Sequence, residues 1–152
     1  MPLLNYTTKV EANKTVQQIM LILAEHGASN ILTDWQDGRI VGLAFRVDIG
    51  NTPLGFRLPV DPQPVQVLLE QQWKRRKVAR QYATPEQAEN VAWRIVKSWV
   101  EAQMALLETG MVKIEEIFLP YLITGDGRTI YQVMVGTRFQ LPSPRQEETK
   151  ND

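Results

Sequence analysis

Alternating apolar and polar residues between positions 39 and 58 restrict the fold of this chain more than any other feature of its sequence. Apolar side chains occupy every second position over most of 39–48, and the same pattern returns over 54–58. A period of two is typical of a β-strand with one buried face. Asp37-Gly38 favours a tight turn before the first run, and a β-prone run over 30–35 precedes that turn. The pattern therefore predicts a three-stranded antiparallel meander over residues 30–58.

Helices are predicted on both sides of this meander. Before it, apolar residues recur every three or four positions, which indicates a helix over about 15–26 that covers the sheet. Thr15 and Gln18 have the spacing of a capping box, so we place the N-cap at Thr15. After the meander, Pro64 suits the first turn of a second helix, which runs into a basic segment and stops by Tyr82.

The third helix has the clearest start signal in the chain. Thr84 is a good N-cap residue, and Pro85 follows it at the first helical position. Helical spacing continues to residue 119, and Gly110 can either end the helix or kink it. A helix over 85–119 would be roughly 50 Å long, which is longer than a domain of this size needs. We therefore expect a long C-terminal amphipathic helix that supports a homo-oligomer.

The remaining segments predict edge strands and a tail. Residues 6–10 and 129–135 are rich in β-prone side chains and are expected to add edge strands to the sheet. The polar residues 142–152 predict a disordered tail. The predicted fold class is α+β, with a small antiparallel sheet packed by helices in a single domain over residues 1–141.

Composition excludes several classes of protein. The 152 residues suffice for one domain with its own core, and the absence of cysteine excludes disulfides and thiolate metal sites. The longest apolar run, around 19–24, is too short to span a membrane, and the first residues do not resemble a secretory signal. We therefore expect a cytoplasmic protein with no membrane partner. Lys and Arg together number 17, as do Asp and Glu, which argues against coating nucleic acid by bulk charge.

A basic cluster stands out from this balanced charge. Its five cations are Lys74, Arg75, Arg76, Lys77 and Arg80, and the aromatic residues Trp73 and Tyr82 flank it. Cations neutralise phosphates, arginine can bind one phosphate through two hydrogen bonds, and aromatic rings stack on bases. On a continuing helix, Lys74, Lys77 and Arg80 would share a face. The cluster predicts contact with nucleic acid or another phosphate-bearing ligand; the alternative is a solvated helix end whose cations offset the helix dipole.

A second candidate site lies on the meander. Arg46 and Arg57 are predicted on its less apolar face, together with Gly42 and Gly55. Small residues beside arginines leave room for a planar ligand against the sheet. The alternative is an ordinary exposed sheet face that carries surface charges.

The sequence contains no recognisable catalytic constellation. His26 is the only histidine, so a typical zinc site lacks its ligands, and a catalytic triad would have to use His26 itself as its base. The sequence also has no serine in a nucleophile elbow. Glu115 and Glu116 are adjacent and would point apart on a helix, and no glycine-rich phosphate loop is present. We therefore predict a protein that is not an enzyme and that uses no cofactor and no metal.

Several short segments carry a resemblance to known sequences. They are Thr7-Thr8-Lys9-Val10, Lys14-Thr15-Val16, His26-Gly27-Ala28, Asp37-Gly38-Arg39, Phe56-Arg57-Leu58-Pro59 and residues 88–107. Together they resemble small uncharacterised proteins of phages, prophages and environmental (metagenomic) sequences. The resemblance implies a viral or mobile-element origin, with the host cytoplasm as the location, and it carries no activity and no ligand residues. The order of one helix, three antiparallel strands and a basic helix also resembles the topology of double-stranded RNA-binding domains, although the basic stretch lies at the end of its helix.

Three functions remain open from the sequence. The leading one is a non-enzymatic, phage-type binding protein that contacts single-stranded nucleic acid or a phosphate-bearing ligand through the basic cluster. The second is an oligomeric protein that sequesters a small nucleotide signal, as viral anti-defence would require, with Arg46 or Arg57 holding the ligand. The third is a structural or protein-interaction module. Strand binding alone predicts an affinity that falls steeply as the salt concentration rises.

Overall fold

The computed structural model describes residues 1–141, and the tail predicted over 142–152 lies outside them. Within the described part the chain forms five helices and three strands, joined by turns that include two short 3-10 segments. The elements are α1 (Ala12–Glu25), β1 (Ala28–Gln36), β2 (Arg39–Ile49), β3 (Thr52–Arg57), α2 (Pro62–Lys74), the 3-10 turn Arg80–Tyr82, α3 (Pro85–Glu108), α4 (Ile114–Ile117), the 3-10 turn Leu119–Tyr121 and α5 (Ile130–Gly136).

The strands form one antiparallel sheet in the order β1-β2-β3, so the predicted meander and the α+β fold class are confirmed. Phe45 on β2 lies opposite Ile31 on β1 and opposite Phe56 on β3. Leu43, Phe45 and Val47 are buried, whereas the residues between them are partly or fully exposed. The alternation arises because helices cover only one face of the sheet.

The three longer helices pack on one another and on one face of the sheet. α1 lies against β1 and β2 and packs beside α3, and the two helices share with the sheet one core that contains Ile19, Phe45 and Trp93. α2 packs on α3 in a smaller cluster around Leu69 and Val91. Since α3 has α1 and α2 as neighbours within the same chain, its length requires no second subunit. The homo-oligomer therefore stays a prediction.

The start of α1 differs from the predicted one. The helix begins at Ala12 and Glu11 is its N-cap residue without a side-chain cap, so the capping box of Thr15 and Gln18 is wrong. The backbone N–H of Ala12 donates instead to Asn90 Oδ1 on α3, at 2.9 Å. This tertiary hydrogen bond satisfies an N-terminal donor that a local cap would otherwise serve. Thr15 is fully buried inside the helix.

The long helix ends before residue 119, the last residue of the predicted helical spacing. α3 stops at Glu108, and Gly110 follows with φ of 78°, a left-handed conformation that glycine adopts without a steric penalty. Gly110 therefore ends the helix, and the apolar residues beyond it belong to α4 and to the 3-10 turn after it. α3 is 24 residues long, about 36 Å, and it is not the C-terminal element of the described chain.

The last predicted strand is a helix. Residues 130–136 form α5, whose start is a capping box: Gln132 N donates to Thr129 Oγ1 at 3.3 Å, and Thr129 N donates to Gln132 Oε1 at 2.9 Å. These two hydrogen bonds outweigh the β-propensity of the valine and isoleucine side chains. Residues 6–10 do not form the expected strand either, and adopt turns and irregular backbone.

His26 joins the end of α1 to the end of α3. Its Nε2 lies 2.8 Å from Glu108 Oε1, and its Nδ1 lies 2.7 Å from the carbonyl oxygen of Ile22. Both hydrogen bonds raise the pKa of His26 above its ordinary value of 6.5, and the one with Glu108 has the larger effect. Both ring nitrogens face acceptors, and only the protonated ring can donate to both.

The raised pKa of His26 predicts how stability changes with pH. The protonated ring stabilises the fold fully below the ordinary pKa, and this contribution is lost as pH rises through the raised one. We expect Tm to fall as pH rises from about 6 to about 8, and the His26→Gln variant to show a flatter profile, because His26 is the only histidine. Differential scanning calorimetry across this range tests the prediction, and parallel profiles for both proteins would contradict it.

Among residues 1–141, none of the helices combines the length and the apolar composition needed to cross a membrane.

Candidate functional site

The basic cluster lies on a helix end and the tight turn that follows it. α2 ends at Lys74, Arg75 is the C-cap residue, and Arg76 has φ of 58°. Arg76 N donates to Trp73 O at 2.9 Å, and Lys77 N donates to Gln72 O at 2.8 Å. This pair of hydrogen bonds is the Schellman motif, which satisfies carbonyls at a helix C-terminus. The prediction that Lys74, Lys77 and Arg80 share a helical face is therefore wrong, because the helix ends at the first of them.

The turn is anchored by one apolar residue and exposes its cations. Val78 is only 7% exposed, whereas all five cations of the basic cluster are exposed. After Val78 the chain enters the 3-10 turn Arg80–Tyr82, which leads to the N-cap of α3 at Thr84. The buried valine fixes the path of the backbone, so the cations stand on an ordered loop between two helices.

A shallow cavity of about 470 Å³ lies along this loop, and we call it the basic cavity. Its lining residues are Tyr6, Trp73, Arg76, Lys77, Val78, Ala79, Arg80 and Tyr82. Five of the residues predicted from the cluster therefore line one concavity. Lys74 and Arg75 are exposed beside it but do not line it.

Aromatic rings form the walls of the basic cavity. The guanidinium carbon of Arg80 lies 5.6 Å from the centroid of the Trp73 ring, which is a cation–π geometry. Tyr6 and Tyr82 meet edge to face, with their ring centroids 5.3 Å apart. Trp73 remains 38% exposed, so part of its ring is open to a ligand.

The cations of the basic cluster lack acidic neighbours within the described part of the chain. None of the five has a carboxylate oxygen within 4 Å there, whereas Arg39 pairs with Glu89 and Arg128 pairs with Asp126. Asp126 is the exposed partner of such a pair, and its hydrogen bonds with Arg128 and Thr124 lower its pKa. Within residues 1–141 the cluster therefore presents positive charge that no ion pair neutralises, which suits a phosphate ligand.

Tyr6 was not predicted as a site residue, because it comes from a segment far away in sequence. Two glutamines hold that segment against the helices. Gln87 Nε2 on α3 donates to the carbonyl oxygens of Tyr6 and Thr8, at 2.9 and 3.0 Å. Leu3 N donates to the Oε1 atom of the buried Gln72 on α2 at 3.1 Å. No local pattern in residues 1–10 signals these contacts.

The second predicted site is on the open face of the sheet, as expected, but its arginines are engaged. Arg46 Nε donates to Ser29 Oγ at 3.3 Å and lies 3.7 Å from Asp48 Oδ1. Arg57 Nη1 donates to the carbonyl oxygen of Gly127 at 3.2 Å. A cavity of about 280 Å³ on this face is lined by Arg46 but not by Arg57, and shares no residue with the basic cavity.

A cavity larger than the basic one belongs to neither site. It measures about 580 Å³ and is lined largely by apolar residues, Leu54, Phe56, Met111 and Leu119 among them. Metal-ligating side chains do not cluster there or elsewhere in the described chain in a way that could hold an ion. The basic cavity is therefore the concave site with the most distinctive chemistry.

Arg76 occupies a position that usually holds glycine, and this predicts a stabilising substitution. A left-handed conformation is unfavourable for a side chain with a Cβ atom, whereas glycine adopts it freely at the helix C′ position. We expect Arg76→Gly to raise the free energy of unfolding by about 0.5–1 kcal/mol, after the extra chain entropy of glycine is subtracted. Arg75→Gly is the matched control, because Arg75 has φ of −88° and no strain to relieve. Urea denaturation of the two variants measures the difference, and equal destabilisation of both would contradict it.

No protein-family model, curated protein or solved structure matches this chain.

Proposed function

We propose that this chain is a non-enzymatic binding protein that holds single-stranded nucleic acid in the basic cavity. The observation that carries the proposal is the placement of three cations, Arg76, Lys77 and Arg80, in one concavity with aromatic walls. Cations that lack carboxylate neighbours contact phosphates, and exposed rings stack on bases. A single strand offers both groups at once, since its bases are not already paired within a duplex.

The strained backbone of Arg76 supports the same proposal. Non-glycine residues in the left-handed region persist where the surrounding structure holds them, and they concentrate at binding sites. Glycine at this position would relieve the strain but would remove one of the three cations from the cavity. The resemblance to phage proteins supports an origin in a virus or mobile element, where nucleic acid is at hand in the cytoplasm of the host.

Removal of cavity cations tests the proposal. We expect Arg76→Gln combined with Arg80→Gln to weaken binding of a fluorescently labelled 12-nucleotide oligo-dT about tenfold at 50 mM salt, since each exposed phosphate contact contributes up to about 1 kcal/mol. The slope of log K against log salt should become less steep by about 1.4, because two phosphate contacts are lost. Fluorescence anisotropy in a salt series measures both values.

A variant with the same change in charge serves as the control. Arg46→Gln combined with Arg57→Gln removes two cations from the open face of the sheet, and it should change the affinity less than about twofold. Wild-type affinity in the cavity variant would sink the proposal. A larger loss in the sheet variant than in the cavity variant would move the site to the open face of the sheet.

A further inference from the structure

The charge of this chain is segregated, which limits the length of strand that it can bind. The basic cluster holds five of the 17 Lys and Arg residues, so the other residues carry 12 against 17 Asp and Glu, a net charge of −5. A protein that tracks a long strand presents a continuous positive groove along the backbone. Here five cations are concentrated at the end of α2 and on the loop after it, and the net negative charge of the other residues disfavours a polyanion.

Acidic side chains follow the loop closely along the chain. Glu86 and Glu89 lie in the first turns of α3, directly after the 3-10 turn that ends the basic cluster. With Glu11, at the N-cap of α1, they line a separate shallow cavity of about 200 Å³. Glu89 is paired with Arg39, which also lines this cavity, so a strand that left the basic cavity towards α3 would meet the carboxylates of Glu86 and Glu11.

The dimensions of the basic cavity point to a small unit of ligand. Its volume of about 470 Å³ falls in the range of small-molecule sites. The pair formed by Trp73 and the Arg80 guanidinium offers a stacking platform, whereas Tyr6 and Tyr82 contact each other edge to face. Three cations line the cavity, and they contact about three phosphates if each binds one.

We infer that the basic cavity recognises a short segment of about three or four nucleotides, with one base stacked on the Arg80–Trp73 pair and three neighbouring phosphates on Arg76, Lys77 and Arg80. The inference rests on the proposed function and names its unit of recognition. The segment can lie at a strand end or in the interior of a strand, since the cations contact phosphates of either position. Longer strands then gain only from the larger number of equivalent positions that they offer.

A length series of competitors tests the inference with the wild-type protein. Unlabelled oligo-dT of 2, 4, 8 and 12 nucleotides displaces a labelled 12-mer at 50 mM salt. Expressed per nucleotide, the 4-mer, 8-mer and 12-mer should compete equally within about threefold, and the slope of log K against log salt should be about −2 for three phosphate contacts. A 4-mer that competes 100-fold worse than the 12-mer per nucleotide, or a slope steeper than about −4, overturns the short footprint and leaves strand binding intact. No binding by any oligonucleotide overturns both.

The acidic boundary has its own test. Glu11→Gln combined with Glu86→Gln removes two carboxylates beyond the cavity, so the 12-mer should bind about threefold tighter while the 4-mer is unchanged. An equal gain for the two oligonucleotides, or no gain for either, would contradict the boundary.

Discussion

Phe118→Ala should lower the free energy of unfolding by about 3–5 kcal/mol, which is the range for deleting a buried aromatic side chain. Phe118 is fully buried, and its ring meets Phe45 at a centroid distance of 5.3 Å and Trp99 at 5.5 Å, both edge to face. It therefore joins the segment after α4 to the sheet and to α3 at once. Removal of the ring leaves a cavity among these three elements, and movement of the surrounding side chains can fill it only in part.

The neighbouring residue provides a matched control for this substitution. Leu119 is 50% exposed, so Leu119→Ala should change stability by no more than about 0.5 kcal/mol. Urea denaturation of both variants measures the contrast. Because the loss approaches the total stability of a domain of this size, Phe118→Leu provides a milder second variant, with an expected loss of about 1–1.5 kcal/mol. A loss below about 1 kcal/mol for Phe118→Ala would show that the site is not a tightly packed core.

Gln87→Leu should lower the free energy of unfolding by about 2 kcal/mol and also weaken nucleic-acid binding. The substitution keeps a similar side-chain volume but leaves the carbonyl oxygens of Tyr6 and Thr8 without the donor that they share. A partly buried acceptor that loses its donor costs about 1–3 kcal/mol unless the chain moves out to water. If the segment detaches, Tyr6 leaves the wall of the basic cavity, so affinity for the labelled 12-mer should fall as well.

Hydrogen exchange measured by mass spectrometry distinguishes this effect from general destabilisation. Amides in residues 1–10 should exchange faster in Gln87→Leu, whereas those of β2 should keep their protection. Gln17→Leu changes an exposed glutamine on α1 and serves as the control, with an expected change within about 0.5 kcal/mol. Unchanged exchange of residues 1–10 in Gln87→Leu would mean that other contacts hold the segment.

Where hydrogen bonds or turns are local, the sequence predicted the structure well. The meander follows from alternation and from Asp37-Gly38, and the start of α3 follows from Thr84, whose hydroxyl accepts from Gln87 N at 3.1 Å. The failures occurred where a distant residue supplied a partner. Asn90 caps α1 from another helix, and so Thr15 was displaced from the N-cap into the core.

The candidate site shows the same division. The cations and Trp73 could be identified from sequence because they cluster within a few positions, and the phosphate hypothesis needs only their charge. Their arrangement could not be predicted from sequence, because the Schellman turn at Arg76 replaces the helical geometry that their spacing predicts. Tyr6 joined the site through contacts with residues about 80 positions away, and nothing local encodes these.

By itself, the sequence determined that residues 30–58 form an antiparallel meander and that the long helix starts after Thr84. It also determined that cysteine chemistry is absent and that five cations cluster over residues 74–80. These properties depend on residue type and short-range spacing, which are fixed before the chain folds. Only the tertiary structure decided that α3 is sandwiched between α1 and α2, that residues 130–136 are helical, and that the loop cations meet aromatic rings in one cavity. Each of these depends on packing or hydrogen bonds between segments far apart in the chain, and such contacts outweigh the small differences in local propensity.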